Sequence, residues 1–266
     1  MANCFPLVTT VQLTSERLPR RLQALGWTPP VYVRGAALGE GPAVAIVGAR
    51  AASQLGMDRA HALARHLAGR GVHVVSGGAL GIDGAAHRGA LAGGGTTTVV
   101  LGSGLDVLYP PRHAPLFGDV VARGGTLAGM LPDGTEPLRH TFPQRNQLIA
   151  ALADVVIVVE ADLRSGSLST AAAGKRFGKV VVAWPGSRGC ERLLAAGAAI
   201  IESQADAELA LAGTPRHRAP LAIDPIVRQV QDAIANGAAG IDEIVRRTGL
   251  TVRVVLRAVP MIERKQ

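Results

Sequence analysis

The sequence is poor in cysteine and in aromatic residues. Of its 266 residues only Cys4 and Cys190 are cysteines, and 3% are aromatic. Two thiols without metal-ligand spacing argue against a disulfide framework and favour a reducing, cytoplasmic setting. The shortage of rings argues against a protein that binds single strands mainly through rows of stacked aromatic side chains.

Long apolar runs and a dinucleotide fingerprint are also missing. Apolar runs such as 154–161 are far shorter than the roughly 20 residues that span a bilayer, and the N-terminus lacks the basic head and apolar stretch of a secretory signal. The pair Gly102 and Gly104 is not followed by the third glycine of GxGxxG. We therefore expect no membrane partner, no cofactor and no metal.

The charge is one-sided. There are 28 Lys and Arg against 20 Asp and Glu, a formal charge of +8, whereas hydrophobic residues make up 48% of the chain. Such a composition supports a folded core and suggests a polyanionic partner. Residues 163–190 carry five basic residues and no acidic residue.

Periodicity predicts an α/β fold. Seven short β-branched runs alternate with helical segments between residues 43 and 201, as in a doubly wound, mostly parallel Rossmann-like sheet that is covered on both faces. The runs are AVAIVG, VHVVSGG, TTTVVLGSG, TLAGM, VVIVVEA, KVVVAWPG and AAII. We divide the chain into an extension (1–42) with a possible helix in SERLPRRLQAL, the Rossmann-like domain (43–212), a linker (213–223) and a helix-turn-helix module (224–266).

Two strand ends carry candidate binding residues. Arg50 and Ser53 follow the first predicted strand, where a helix N-terminus favours a phosphate; a tight turn capped by Ser53 is the simpler alternative. The second strand ends in glycines that include Gly77 and Gly81, and then Asp83. Asp83 and His87 lie four residues apart, a spacing typical of a cap or surface pair and less often of acid–base chemistry.

The segment from Phe142 to Thr170 is the most informative. Phe142 is a ring that can stack on a base, and Arg145 and Asn146 follow as hydrogen-bond donors. After the next strand, a helix opens on an SGSxxT motif whose backbone N–H groups and hydroxyls suit an anion; a capped helix without a ligand is the alternative. The motif residues are Ser165, Gly166, Ser167 and Thr170.

Several blocks together resemble the DNA-processing protein A (DprA/Smf) family. They occur in the family's order between about residues 29 and 202. The blocks are VAIVGAR, VSGGALGIDGAAHRGAL, TTTVVLGSGLDVLYPPRH, GTLAGMLPDGTEP, FPQRNQLIAAL, VVIVVEADLRSGSLSTA and WPGSRGCERLLAAGA. The resemblance implies a non-catalytic, homodimeric protein that binds and protects single-stranded DNA and loads RecA recombinase during natural transformation.

The resemblance also implies a set of DNA-binding residues. By motif these are Arg50, Ser53, Gly77, Gly81, Asp83, Phe142, Arg145, Asn146, Ser165, Gly166, Ser167 and Thr170, with Lys175 as an added cation. Gln147 stands where a second arginine is usual, which predicts one fewer positive charge in the groove. The C-terminal helices resemble the family's winged helix, truncated before its wing, so we expect little DNA binding there.

Two other functions remain open at this point. One is a nucleotide hydrolase of the phosphoribohydrolase type, although its PGGxGTxxE motif is matched only by Pro185-Gly186-Ser187. The other is a regulator that binds double-stranded DNA through the C-terminal module, where Arg253 and Arg257 share one helix face.

Overall fold

The computed structural model describes residues 9–218 and 225–263, and the chain divides into two compact units after residue 218. Cys4 and residues 219–223 of the predicted linker lie outside the described residues. Each unit is considered by itself below.

The larger unit contains one sheet of nine strands, and its strands and helices alternate along most of the unit. The strands are β1 (Val11–Leu13), β2 (Val31–Gly35), β3 (Ala43–Val47), β4 (His73–Ser76), β5 (Thr97–Val100), β6 (Thr126–Gly129), β7 (Val155–Val158), β8 (Val180–Ala183) and β9 (Ala199–Ile200). The helices are α1 (Arg20–Gln23), α2 (Gln54–Ala68), α3 (Ile82–Ala92), α4 (Ala114–Ala122), α5 (Thr141–Ala151), α6 (Ser167–Arg176), α7 (Arg188–Ala195) and α8 (Gln204–Leu211).

The strand order is β1-β2-β6-β5-β4-β3-β7-β8-β9. Neighbours from β6 to β9 are parallel, whereas β1 and β2 are antiparallel to each other and β2 is antiparallel to β6. The chain winds from β3 to β6 in one direction and returns to β7 on the other side of β3. The carboxyl ends of β3 and β7 therefore form the switch point where open α/β sheets bind ligands.

Both faces of the sheet are buried. In β3, Ala45 and Val47 pack into the core under α5, α6 and α7, and Val44 and Ile46 pack into the core under α2, α3 and α8. A third cluster lies between α4 and the sheet around Phe117. This alternation explains why the strands are almost continuously apolar, and it confirms the predicted doubly wound α/β fold.

Part of the predicted N-terminal extension belongs to this sheet. Described residues of the predicted extension supply β1 and β2, so they extend the sheet by two antiparallel strands. The helix expected in SERLPRRLQAL is split, because Pro19 lacks the N–H that a continuous helix needs. A short 3-10 turn at Ser15–Arg17 precedes the proline, and α1 follows it.

The smaller unit is the predicted helical module. It comprises α9 (Pro225–Ala235), α10 (Ile241–Thr248) and α11 (Val252–Glu263) around a small apolar core. Gly249 ends α10 with φ near +69°, a left-handed conformation that glycine adopts without steric cost. Arg253 and Arg257 are both exposed on α11. Helix α11 continues through Pro260 to Glu263.

Candidate functional site

A large open groove lies at the switch point of the sheet. It encloses about 2050 Å³, including open solvent, and is lined by the loop after β3, the start of α5 and the segment after β7. Most of the predicted site residues line it: Arg50, Asp83, Phe142, Arg145, Asn146, Ser165, Gly166, Ser167 and Thr170. Gly77 lines a narrower adjoining pocket of about 390 Å³, which shares Arg50, Phe142 and Arg145 with the groove.

Arg145 is buried beneath the groove. Its side chain is on α5, the residue is 6% exposed, and Nη1 donates to the carbonyl oxygens of Gly77 and of Val100, the latter at 2.7 Å. These two residues stand at the ends of β4 and β5. Burial lowers the pKa of Arg145 to about 10, although the nearby Asp83 carboxylate opposes the shift. Arg145 therefore joins the ends of β4 and β5, and its buried Nε has no hydrogen-bond partner.

Asp83 is the buried acidic neighbour of Arg145. Burial raises the pKa of Asp83, whereas Arg145 and the Ala79 N–H, which donates to Oδ2 at 3.3 Å, act to lower it. A methyl group at Gly77 would lie 2.6 Å from Arg145 Cζ and 2.8 Å from Asp83 Oδ2. Gly81 has φ near +77°, and a methyl group there would meet the Arg50 carbonyl oxygen at 2.6 Å. Both glycines are thus required by close approach under the groove floor.

Phe142 stands at the centre of a cluster of rings and guanidinium groups. The Cζ atoms of Arg50 and Arg145 lie 5.1 Å and 5.7 Å from its ring centroid, and the Tyr109 ring lies 5.9 Å away. Phe142 is half-buried and Tyr109 is 42% exposed. Sequence reasoning identified Phe142 as the one stacking ring. It missed Tyr109, although Tyr109 belongs to the LYPPRH block that supported the family resemblance.

The N-terminus of α6 opens into the groove. Gly166 occupies the cap position without a side-chain cap, and the hydroxyls of Ser165 and Ser167 are 2.7 Å apart. Asn146 fixes this segment from α5, because its Nδ2 donates to the Gly166 carbonyl at 3.1 Å and to Ser169 Oγ at 2.7 Å. The positive end of a ten-residue helix, bordered by hydroxyls, suits an anionic ligand.

The N-terminus of α2, by contrast, is occupied by a carboxylate of the chain itself. Ser53 caps α2 by accepting the Gly56 N–H at 3.0 Å. Glu160, just beyond β7, accepts the Ser53 N–H at 3.0 Å and its hydroxyl at 2.5 Å. Ser53 therefore does not line the groove, and an anion at this helix end would face a negative charge. Its predicted contact with nucleic acid stays a prediction.

Lys175 lies away from the groove. It is exposed near the far end of α6, where Nζ donates to the Ala196 carbonyl at 2.8 Å. The basic run 163–190 is likewise dispersed, because Arg176 donates to Gln147 Oε1 at 2.8 Å. Gln147 is not among the residues lining the groove, so its polar side chain does not set the charge there. A DNA contact by Lys175 stays a prediction.

Two exposed arginines line the groove in addition to those of the predicted set. Arg139 precedes α5, and Arg164 follows β7. Arg164 falls in the basic run noted in the sequence, whereas Arg139 carried no signal beyond its position just before Phe142. With Arg50 and Arg145 they outnumber the two lining carboxylates, Asp83 and Asp162. The arginine side chains lining this groove thus exceed the carboxylates by two charges.

Asp83 and His87 do not form a pair at the surface. His87 is fully buried on α3, with Nδ1 2.8 Å from Thr97 Oγ1, and burial lowers its pKa to about 3. His87 is therefore neutral at pH 7. Within residues 9–218 and 225–263, no cluster of three His, Cys, Asp or Glu side chains is arranged to hold a metal ion, and no helix has the length and apolar character needed to cross a bilayer.

The sequence is similar to several bacterial DNA processing proteins. The DprA of Mycobacterium tuberculosis is 44% identical over 237 residues, which is 83% of this chain and 60% of that protein. The Smf protein of Escherichia coli is 44% identical over 146 residues, or 55% of this chain and 39% of that one. The chain thus spans about three fifths or less of the length of these relatives.

Solved structures share the fold. The crystal structure of Streptococcus pneumoniae DNA processing protein A has 35% sequence identity and a TM-score of 0.69, over 77% of this chain and 74% of that one. The Helicobacter pylori protein, whose structure is described for its mode of single-stranded DNA binding, has 30% identity and a TM-score of 0.70, over 79% and 99%. The family model described as DNA recombination-mediator protein A matches residues 9–211. The chain therefore belongs to the DNA recombination-mediator protein A family, the DprA/Smf proteins.

Proposed function

We propose that this protein is a recombination mediator that binds single-stranded DNA in the groove at the switch point of the sheet. One observation carries the proposal: exposed guanidinium groups, two aromatic rings and an open helix N-terminus line the same groove. Single-strand binders combine these elements, since cations follow the phosphates and rings stack on bases. The single-stranded DNA binding of the Helicobacter pylori relative supports the same function.

Phosphate contacts provide most of the affinity in this proposal. The exposed Arg50, Arg139 and Arg164 and the N–H groups at the start of α6 face the backbone of the strand. Neutralising phosphates on a single strand releases counterions with a log–log salt slope of about −0.7 per contact, so three arginines give a slope near −2. Binding is then sensitive to salt and tolerant of sequence.

Base stacking provides the remaining contacts. The Phe142 ring, with Tyr109 beside it and Arg50 above it, offers a face on which a base can stack. Because every base has such a face, stacking of this kind does not discriminate strongly among sequences. Arg145 is too deeply buried to be the main phosphate ligand. It acts by holding the ends of β4 and β5 in place beneath Phe142.

The groove variant R50Q/R164Q tests this function. We expect its affinity for an oligothymidylate, measured by fluorescence anisotropy, to fall by about tenfold or more, with a salt slope shallower by about 1.4. The matched control R17Q/R192Q removes the same charge from exposed positions that do not line the groove. Equal affinities of the groove variant and the wild-type protein would refute the proposed site.

The family resemblance extends the proposal to cellular roles. We infer that the protein works in the cytoplasm as a homodimer, protects incoming single-stranded DNA and loads RecA recombinase during natural transformation. RecA-dependent ATP hydrolysis on DNA coated with a single-strand-binding protein should begin sooner when the wild-type protein is added, and R50Q/R164Q should lack this effect. Light scattering after size-exclusion chromatography measures the molar mass, which should be twice the 27.4 kDa of one chain for a homodimer. Release of free base from nucleoside monophosphates would instead support the hydrolase alternative.

A further inference from the structure

A second positively charged groove lies between α3 and α4. It encloses about 780 Å³, including open solvent, and three exposed arginines line it: Arg88 on α3, Arg112 before α4 and Arg123 at the end of α4. We call these three residues the α3/α4 strip. Asp119 is the one carboxylate among the lining residues. The proposed single-stranded DNA groove does not include any of the three arginines.

The arginines of the strip have no structural partner among the described residues. Several other exposed arginines are paired, such as Arg70 with Glu208 at 2.8 Å and Arg216 with Glu202 at 2.6 Å. No such ion pair is found within residues 9–218 for any strip arginine. Three free guanidinium groups along one groove create a local positive potential, which attracts a polyanion.

The strip begins a few residues after Tyr109 of the proposed groove. Tyr109 lines the proposed groove, Pro110 lines the adjoining pocket, and Arg112 follows two residues later at the start of the strip. Helix α4 then carries the strip to Arg123 over about 14 Å, at 1.5 Å per residue. Because three residues span at most about 11 Å, a strand that leaves the groove past Tyr109 can reach Arg112.

Positive charge also extends past the far end of the strip. Ala92 borders the strip and a further groove of about 860 Å³, which is lined by residues including Arg65 and His61. The two grooves meet where α3 ends, beside the C-terminal end of α2. Arginine side chains therefore line both of the grooves that meet at the end of α3.

We propose that the α3/α4 strip is a second phosphate-binding surface, which takes up single-stranded DNA that extends beyond the groove at Tyr109. The inference rests on the proposed function, because the groove must hold the first part of the strand. The strip carries guanidinium groups without an aromatic ring among its lining residues. It therefore binds the backbone without reading bases. Affinity should rise with strand length until the strip is filled.

The test compares oligothymidylates of graded length with wild-type protein and with R88Q/R112Q/R123Q. The shortest oligothymidylates that bind should fill only the groove. The wild-type protein and the strip variant should therefore bind them with affinities that agree within about twofold. For long oligothymidylates the variant should bind about tenfold or more weakly, with a log–log salt slope shallower by about 2. Fluorescence anisotropy across a salt series gives both quantities.

A matched control removes three other exposed arginines. R17Q/R20Q/R192Q has the same net charge as the strip variant, and these three positions line neither groove. Long oligothymidylates should bind this control as they bind the wild-type protein, and thermal unfolding should show that both variants are folded. An unchanged long-strand affinity of the strip variant, or an equal loss in the control, overturns the inference.

The outcomes also separate this inference from the proposed function. If R50Q/R164Q binds short oligothymidylates as well as the wild-type protein does, the groove is not the binding site and the proposed function fails. If that variant loses short-strand binding while R88Q/R112Q/R123Q keeps its long-strand affinity, the groove stands and the strip is refuted. If the strip variant loses affinity equally for short and for long oligothymidylates, the strip is not a separate binding surface and the inference is refuted.

Discussion

The substitution Gly77→Ala should disrupt the groove from beneath. Gly77 follows β4, and its carbonyl oxygen accepts a hydrogen bond from Arg145 Nη1. An added methyl group would lie 2.6 Å from Arg145 Cζ and 2.8 Å from Asp83 Oδ2, well inside van der Waals contact. The guanidinium group therefore has to move away from Gly77, and its 2.7 Å hydrogen bond to the Val100 carbonyl is strained or lost.

The energetic cost follows from these contacts. Overpacking in a core costs about 1–3 kcal/mol, and a hydrogen bond from a charged donor contributes about 1.5–3 kcal/mol. We expect Gly77→Ala to lower the free energy of unfolding by roughly 3 kcal/mol in total. For a unit of this size, that change lowers the melting temperature by about 6–12 °C. Phe142, which packs against Arg145, should then lose its fixed position.

The assay combines thermal unfolding with single-stranded DNA binding. Gly77→Ala should melt earlier and bind an oligothymidylate about tenfold more weakly, a change of about 1.4 kcal/mol in binding free energy. The matched control is Gly118→Ala on α4, where an added methyl group meets no atom within 4 Å. Because alanine favours a helix over glycine, this control should gain about 0.5–1 kcal/mol. If Gly77→Ala unfolds and binds like the wild-type protein, Arg145 does not support the groove as argued.

Further predictions concern one buried histidine and one capping carboxylate. The pKa of His87 is about 3 in the folded chain, against about 6.5 in the unfolded chain. The contribution of the neutral, buried His87 to the free energy of unfolding is therefore fully present above pH 6.5 and is lost as the pH falls toward 3. Between about pH 7 and pH 5 this loss amounts to roughly 2 kcal/mol. His87→Asn keeps a donor for Thr97 and should remove that part of the pH dependence in urea unfolding; an unchanged slope would contradict the assignment. Glu160→Gln should cost about 1–2 kcal/mol, because it weakens two charge-assisted hydrogen bonds with Ser53 at the start of α2. The exposed Glu136→Gln serves as its control and should change stability by less than about 0.5 kcal/mol.

The strands β3 to β9 were accessible from the sequence because burial on both faces leaves a clear apolar pattern. Each of the seven predicted β-branched runs contains one of the strands β3 to β9. The strands β1 and β2 were missed, since β2 (VYVRG) directly follows two prolines in an arginine-containing segment. Their place in the sheet depends on antiparallel pairing with β6, at Val33 with Ala128 for example. Such long-range pairing leaves no local signal.

The sequence analysis identified most of the residues that line the groove, but it did not distinguish the buried ones from the exposed ones. Arg145 and Arg50 both belong to blocks that carry the family resemblance, and no local sequence feature distinguishes a buried arginine from an exposed one. Helix α5 directs Arg145 inward between the ends of β4 and β5, whereas the loop after β3 leaves Arg50 exposed. Under the proposed function, the buried Arg145 is therefore a positioning residue, and the exposed Arg50 contacts a phosphate. That distinction depends on packing between segments about 45 to 68 residues apart.

The two helix N-termini that follow β3 and β7 are both candidate anion sites in the sequence. Each follows a buried strand, and each begins with serine and glycine. The structure separates them because β7 pairs with β3, with Val158 opposite Val47, so the residues after both strands emerge side by side. Glu160 comes two residues after Val158 and reaches Ser53 at the N-terminus of α2. Among the described residues, Gly166 at the N-terminus of α6 has no side-chain cap. The strand order therefore brings Glu160 to the N-terminus of α2 and not to that of α6. Under the proposed function, this leaves the N-terminus of α6 as the helix end that binds a phosphate.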